Sequence, residues 1–536
     1  ESAWGLALHA TRADDKPGES GSAGPMDALF YPLLRSVGGR DRFRREFAAP
    51  AVLLENTKGD FVGGRWIFVT QPTREPFWDH DGAAALAEWA AFAAAGVTEL
   101  WLKPANASYD PGDKATLHVQ LQRPGRASED QAWTLSVSVV KARRSAEASP
   151  DPRFVYPPDR FEEIWSGGLR LTAGRELRFA KLKLPFEIEP GFYAVEGVAE
   201  NASSGERRTL RQGFWGMDAQ LLEEGEFLSC GRDYFVKDGK PFPVVGMTYM
   251  ASDVARKFLF LPNVAVWDRD MAQMKRAGIN LIRTGIWTAW RQIMYVDGHA
   301  YEETLRAIDA FLLTAKRHGL EVTFNFFSFT PEAWEGVNPY LDPRSVEAQK
   351  RFIAAVVSRH ARSTHVHWDL INEPSLFDPQ RIFANGARSA KDPFERAAFS
   401  EWLKARHSGS VRLLQERWNM TPAELPSFEA ARPPEPGDVG FGTTQTLEKK
   451  GGPWLDYTLF SQAMHNRWAR SLIETIRSIQ PKQLATVGQD EGLGAQRPSP
   501  FFYAEEVDYT TVHTWWLMDD LVWDSVFGKD PGKPTL

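Results

Sequence analysis

Val366-His367-Trp368-Asp369-Leu370-Ile371-Asn372-Glu373-Pro374 is the stretch whose reading decides the fold. A mostly apolar run ends in Asn-Glu-Pro, as a buried strand does when it delivers a polar tip to a surface. Upstream, Arg344 to His360 has helical periodicity, with Asp342 as candidate N-cap and Pro343 at the first helical position. Before it lie a strand over Glu321 to Phe327 and a helix over Glu302 to His318. That helix turns Leu305, Ile308, Phe311 and Leu312 inward and is closed by Gly319. Further back are a strand at Asn280 to Ile286, a helix at Asp268 to Ala277 and a strand at Pro243 to Tyr249. A hairpin turn at Asp238-Gly239 precedes them. Downstream, a long insertion runs from about 378 to 452, with a helical piece around Phe399 to Trp418. A helix follows at Tyr457 to Ile479, then strands at Leu484 to Gly488 and Val507 to His513. Pro534-Thr535-Leu536 reads as the opening of a seventh strand. Strands alternating with helices predict a parallel (β/α)8 barrel, in which the quoted stretch is the fourth strand.

Barrel active sites gather at the carboxyl ends of the strands, so Glu373 is expected at the mouth, where a carboxyl can donate and accept a proton. Pro374 disfavours a helical backbone before it and predicts an extended Glu373. Arg283, at the end of Asn280-Leu281-Ile282-Arg283, is a buried-charge candidate. It either pairs structurally or holds a carboxylate ionised. His513 reads as a core histidine or as a site residue beside Trp515 and Trp516; of these two, Trp515 is expected to face inward. Trp287, Trp290 and Trp334 follow the second and third strands, where loops build binding sites; each reads equally as core or loop packing. His365 and His367 lack a third ligand at suitable spacing, so no metal is expected.

The remaining chain predicts two further parts. Residues 1–105 read as a small α/β unit. It has a polar N-terminal loop over Thr11 to Pro25, strands at Ala51 to Asn56 and Arg65 to Thr70 joined across Gly63-Gly64, and a helix at Ala83 to Ala95. Residues 106–225 read as an Ig-like β-sandwich. Leu117, Val119 and Leu121 alternate with polar residues, as do Trp133, Leu135, Val137 and Val139, and Phe192, Ala194 and Val198 continue the pattern. The barrel occupies 226–536. A spacer or a sugar-binding role is open for the sandwich.

Composition bounds the partners. Among 536 residues, 43% are hydrophobic and 25% charged, enough for sizeable cores, and a net charge of −7 gives no general attraction to nucleic acid or anionic membrane. No apolar run reaches the length of about 18 residues that a membrane span needs. Cys230 is the only cysteine, which excludes an intramolecular disulfide and a cysteine-based zinc site. The compartment stays open, with a periplasmic or extracellular one favoured. The oligomeric state is not legible.

From about Phe227 onward the chain resembles the superfamily of retaining glycoside hydrolases whose acid/base and nucleophile lie on the fourth and seventh barrel strands. The insertion text Phe399-Ser400-Glu401-Trp402-Leu403, with Leu414 and Trp418, is similar to family 42 β-galactosidases; family 5 enzymes are of the same type. The resemblance implies that Glu373 is the acid/base, that Asn372 contacts the sugar 2-hydroxyl, that Arg283 supports the nucleophile, and that His513 and an aromatic, Trp515 or Trp516, border the sugar. It implies a β-linked glycoside substrate, first a β-galactoside and next a β-glucoside or β-mannoside, and no cofactor; the long insertion after the fourth strand, by narrowing the pocket, favours attack from the chain end. The family's nucleophile ends the seventh strand. Here the sequence stops at Lys533-Pro534-Thr535-Leu536, so the nucleophile is expected beyond Leu536 and the barrel is expected to be cut off at its seventh strand. Glu491, after the fifth strand, is a candidate substrate contact. It is less well placed as a nucleophile, because a retaining pair sits roughly 5 Å apart across the sugar. The alternative reading is a non-catalytic carbohydrate-binding or scaffold protein on a barrel.

Overall fold

The structure is a computed structural model that describes residues 28–37, 46–70, 73–125, 130–143, 160–251, 254, 256–287, 293–329, 331, 338–374, 393–433, 451–488, 505–513 and 532–536. The loop expected over Thr11 to Pro25 lies outside them, as does the loop half of the long insertion. The chain divides into two compact units, Glu1–Met217 with Ala251–Asp270, and Asp218–Met250 with Met271–Leu536.

In the first unit, Ala28–Val37, Glu46–Asn56 and Arg65–Val69 form an antiparallel three-stranded sheet, followed by helices Glu75–Trp78 and Gly82–Ala94. Strand Glu99–Pro104 pairs onward with Thr116–Gln122 and Arg178–Lys183 in a second three-stranded sheet. A five-stranded sheet orders Ser108–Tyr109, Arg207–Gly216, Gly191–Asn201, Gln131–Arg143 and Arg160–Ala173. These last two sheets feed one apolar core, where Leu117, Val119 and Leu121 meet Trp133, Leu135, Val137 and Val139. The period-two reading of those strands is therefore the burial pattern.

On Gly191–Asn201 the phase differs from expectation: Tyr193, Val195 and Ala199 enter this core. Phe192 is buried too, but its ring lies beside Trp215, 5.7 Å between centroids. An apolar residue on both faces of the strand start misleads an alternation count. Arg65 and Arg208 share Glu55 and Glu206 in a buried four-charge network, with contacts of 2.7 to 2.8 Å.

The second unit opens on a hairpin, Phe235–Lys237 against Lys240–Phe242. Its two turn residues, Asp238 and Gly239, both have positive φ, 51° and 69°, as the expected tight turn requires. Strands Gly246–Thr248, Leu281–Gly285, Glu321–Ser328, Val366–Asn372 and Ala485–Gly488 then pair in parallel and in sequence order. A sixth segment continues the ladder through Asp508 N, which donates to Ala485 O. A seventh joins it in parallel at Thr510 and Thr535. The helices between them are Val264–Arg276, Glu302–Arg317, Pro343–Arg359 and Gly451–Ile479. The second, fourth and fifth strands are buried at every residue, as parallel strands covered on both faces must be. The first strand is exposed, with Met247 43% accessible.

The sheet curls around a shared interior. Thr323 of the third strand meets the Tyr509 hydroxyl of the sixth, 3.3 Å apart. At the amino-terminal end, Phe235 packs edge-on to Tyr509, and Lys237 pairs with Glu321, which also meets His367 at 3.1 Å. Burial would raise the Glu321 carboxyl, but the His367 hydrogen bond and the Lys237 charge outweigh it and hold it down at about 2. In the insertion, helices Pro393–Arg406 and Val411–Trp418 are pinned by Asp456, which accepts from Arg406, His407 and Trp418.

Candidate active site

The fourth strand does not alternate cleanly. Trp368 and Asp369 pair with Ala485 and Thr486 of the fifth strand, but the next partner, Gly488, faces Asn372. Three residues therefore span what two span opposite, a bulge, and bulges beside active sites re-aim side chains. In a regular strand Asp369 and Asn372 would face opposite ways. Here both bond Arg283: its Nε and Nη2 donate to Asp369 Oδ2 at 2.9 and 2.6 Å, and its Nη1 donates to Asn372 Oδ1 at 2.9 Å. The Trp287 ring lies 5.5 Å from the guanidinium and is only 7% exposed, so this tryptophan backs Arg283.

Glu373 follows at the strand tip with φ of +48°, in the left-handed region. The extended backbone expected before Pro374 is corrected. Proline disfavours the right-handed helical region for its predecessor, and the flanking peptide is gripped from both sides. Glu373 N donates to Gly488 O and Asn372 O accepts from Phe329 N, both at 2.7 Å. Such a conformation costs about 1–3 kcal/mol in a non-glycine residue and is found where surrounding structure enforces it. The residue is 9% exposed, and its Oε1 lies 2.9 Å from His513 Nδ1. Burial pushes the His513 imidazole below its usual pKa; the Arg283 charge adds to this, and the Glu373 hydrogen bond and the Asp369 charge oppose it. Across this contact an Nδ1–H donates to a Glu373 carboxylate, and an unprotonated Nδ1 accepts from its acid form. Among the described residues the buried His513 Nε2 has no hydrogen-bond partner, and neither have Trp287 Nε1 and Asn325 Oδ1, all three near carboxyl ends of strands.

The structure thus brings together Glu373, Asn372, Arg283, His513 and Trp287. Trp290, Trp334, Glu491, Trp515 and Trp516 lie outside the described residues. Glu506 pairs with Arg470, away from this cluster. His365 Nε2 lies 2.9 Å from Leu312 O, and among the described residues no group of three metal-ligating side chains gathers. Sequence reasoning missed Asp369, Asn325 and Gly488. A charged residue inside an otherwise apolar strand was the available signal for Asp369; nothing in the sequence shows the bulge that aims it.

Residues 348–521, which include Glu373 and His513, match the glycoside hydrolase family 42 model described as β-galactosidase. Mannan endo-1,4-beta-mannosidase 7 of Arabidopsis thaliana is 25% identical over 285 residues, covering 45% of this chain and 59% of that protein. The chain therefore spans less than two thirds of that curated relative. Among solved structures, a family 42 β-galactosidase from G. stearothermophilus is 16% identical over 53% of this chain and 43% of its own, with a TM-score of 0.40. An endo-1,4-beta-mannanase from Rhizomucor miehei is 14% identical over 58% and 80%, with a TM-score of 0.36. These matches identify the chain as carrying a domain of the glycoside hydrolase superfamily that resembles families 42 and 5.

Proposed function

We propose that this protein is a retaining glycoside hydrolase acting on a β-linked glycoside, with Glu373 as its acid/base. The observation that carries the reading is the pairing of Glu373, at the bulged tip of the fourth strand, with His513 Nδ1 at 2.9 Å. In the first step the Glu373 carboxyl gives its proton to the glycosidic oxygen as that oxygen leaves. A second carboxylate attacks the anomeric carbon and forms a glycosyl ester. In the second step Glu373 takes a proton from water, whose oxygen displaces the ester and restores both carboxyl groups. The second carboxylate is expected on the seventh strand, which Thr535 opens by pairing in parallel with Thr510. Asn372 and His513 serve the sugar ring and Arg283 the nucleophile, with Trp515 or Trp516 bordering the sugar. The residues ahead of the barrel comprise a small α/β unit and an Ig-like sandwich that takes in strand Glu99–Pro104.

A β-galactoside is the first substrate, on the family 42 match. A β-mannoside is second, favoured by the mannosidase relative. The test compares hydrolysis of 4-nitrophenyl β-galactoside and β-mannoside by the natural full-length protein and by Glu373→Gln, with the product anomer read by proton NMR. A Glu373-dependent release of the β-anomer supports the reading. Release of the α-anomer, or full activity in E373Q, overturns it.

A further inference from the structure

We propose that Asp369 is a positioning residue of this site: its carboxylate locks Arg283 and the bulged end of the fourth strand together, so that Asn372 and Glu373 face the substrate in one fixed arrangement. The inference rests on the reading of Glu373 as acid/base and adds a residue that neither composition nor the Asn-Glu-Pro motif marks.

Asp369 is fully buried and makes four hydrogen bonds, all as acceptor. Oδ2 takes Arg283 Nε and Nη2. Oδ1 takes Gly488 N at 2.7 Å and Ile371 N at 3.2 Å. Ile371 lies within the bulge, between the residues that pair with Thr486 and Gly488, so Oδ1 receives an N–H that the bulge withholds from the fifth strand. Gly488 is the residue whose carbonyl holds Glu373 N. One carboxylate therefore fixes the inside of the bulge, the neighbouring strand that grips the Glu373 backbone, and the guanidinium.

The guanidinium in turn sets the Asn372 amide. Because Arg283 Nη1 has no lone pair, the group it meets must be the amide oxygen. The Asn372 NH2 is then the free end and carries no partner among the described residues. A substrate oxygen meeting Asn372 is met by a donor. Without Asp369 the arginine loses its two-bond anchor, and either amide orientation becomes available. Space enforces the same arrangement: a Cβ at Gly488 would stand 2.1 Å from Arg283 Nη2 and 2.8 Å from Asp369 Oδ2.

The test uses the natural full-length protein with Asp369→Asn, Asn372→Ala and their combination, kcat and KM being measured on an aryl β-glycoside beside wild type and Glu373→Gln. A misplacement of about 1 Å costs on the order of a hundredfold in rate, so D369N is expected to lose kcat about a hundredfold with KM little changed. If Asp369 acts through Asn372, the loss is smaller in the N372A background. In parallel, the His513 imidazole is titrated by NMR in wild type and D369N. The charged groups facing it among the described residues are Glu373 and Asp369 of the fourth strand and Arg283 of the second. Removing the Asp369 charge moves the His513 midpoint to lower pH. Wild-type kcat in D369N, strictly additive losses, or an unmoved His513 midpoint overturns the proposal. An inactive wild type sinks the hydrolase reading instead and leaves the NMR result to judge Asp369. Should D369N fail to fold, Asp369→Glu keeps the charge and displaces the guanidinium. It is expected to keep the His513 midpoint and lose kcat, and wild-type kcat in D369E overturns the proposal.

Discussion

Glu373 holds its carboxyl on a backbone conformation that a non-glycine residue adopts only when neighbours enforce it. Two strands supply that force at the peptide before it, and His513 meets the side chain. Removing the carboxyl's proton chemistry while keeping its shape isolates its role. Glu373→Gln is expected to lower kcat by about 10²–10⁴-fold, the usual worth of general acid–base catalysis, with an unchanged melting temperature. A calorimetric scan beside the kinetic assay separates that outcome from simple unfolding.

Two elements carry predictions of their own. The fifth strand ends in Gly488, which no side chain can replace without meeting Arg283 at 2.1 Å and Ile371 O at 2.9 Å. Gly488→Ala is therefore expected to displace the arginine and cut kcat on the order of a hundredfold. Activity equal to wild type would show that the guanidinium is free to move. The helix Pro343–Arg359 begins under Asp342, whose Oδ1 accepts from Arg344 N at 3.0 Å, as the Asp-Pro text predicts. Asp342→Ala is expected to cost about 1 kcal/mol, read as a lower urea midpoint for the second unit with kcat unaffected.

At the scale of the whole molecule, each unit buries titratable groups in a different way. The first closes Glu55, Arg65, Glu206 and Arg208 into a network; the second buries His365 and the Glu321 cluster at the amino-terminal end of its sheet. Burial drives His365 down to about 3, helped by the Lys316 charge. The unfolded chain therefore binds a proton that the folded one refuses. Stability falls as pH drops from about 6.5 towards 3. Glu321, held at about 2, contributes stability that is fully present above about 4.5 and lost as pH falls towards 2. The second unit is expected to weaken from about pH 6.5 downward, before most carboxylates titrate. Melting temperatures between pH 8 and 4 check this, and His365→Gln should flatten the upper part of the slope.

The sequence by itself determined the alternation of strands and helices, the tip at Asn372-Glu373, the hairpin turn at Asp238-Gly239 and the inward faces of the strands at 117–121 and 133–139. Each is encoded in local periodicity or turn chemistry, which needs no knowledge of distant partners. Strands Ala28–Val37, Glu99–Pro104 and Arg160–Ala173 escaped that reading: the first is an apolar run interrupted by Pro32, the second alternates over only six residues, and the third mixes polar and apolar residues, so pairing partners decide their state. Only the tertiary structure decided the left-handed turn at Glu373, the bulge before it and the gathering of Asp369, Arg283 and Asn372. Those depend on a fifth strand more than a hundred residues away, whose register sets which side chains of the fourth strand face the site.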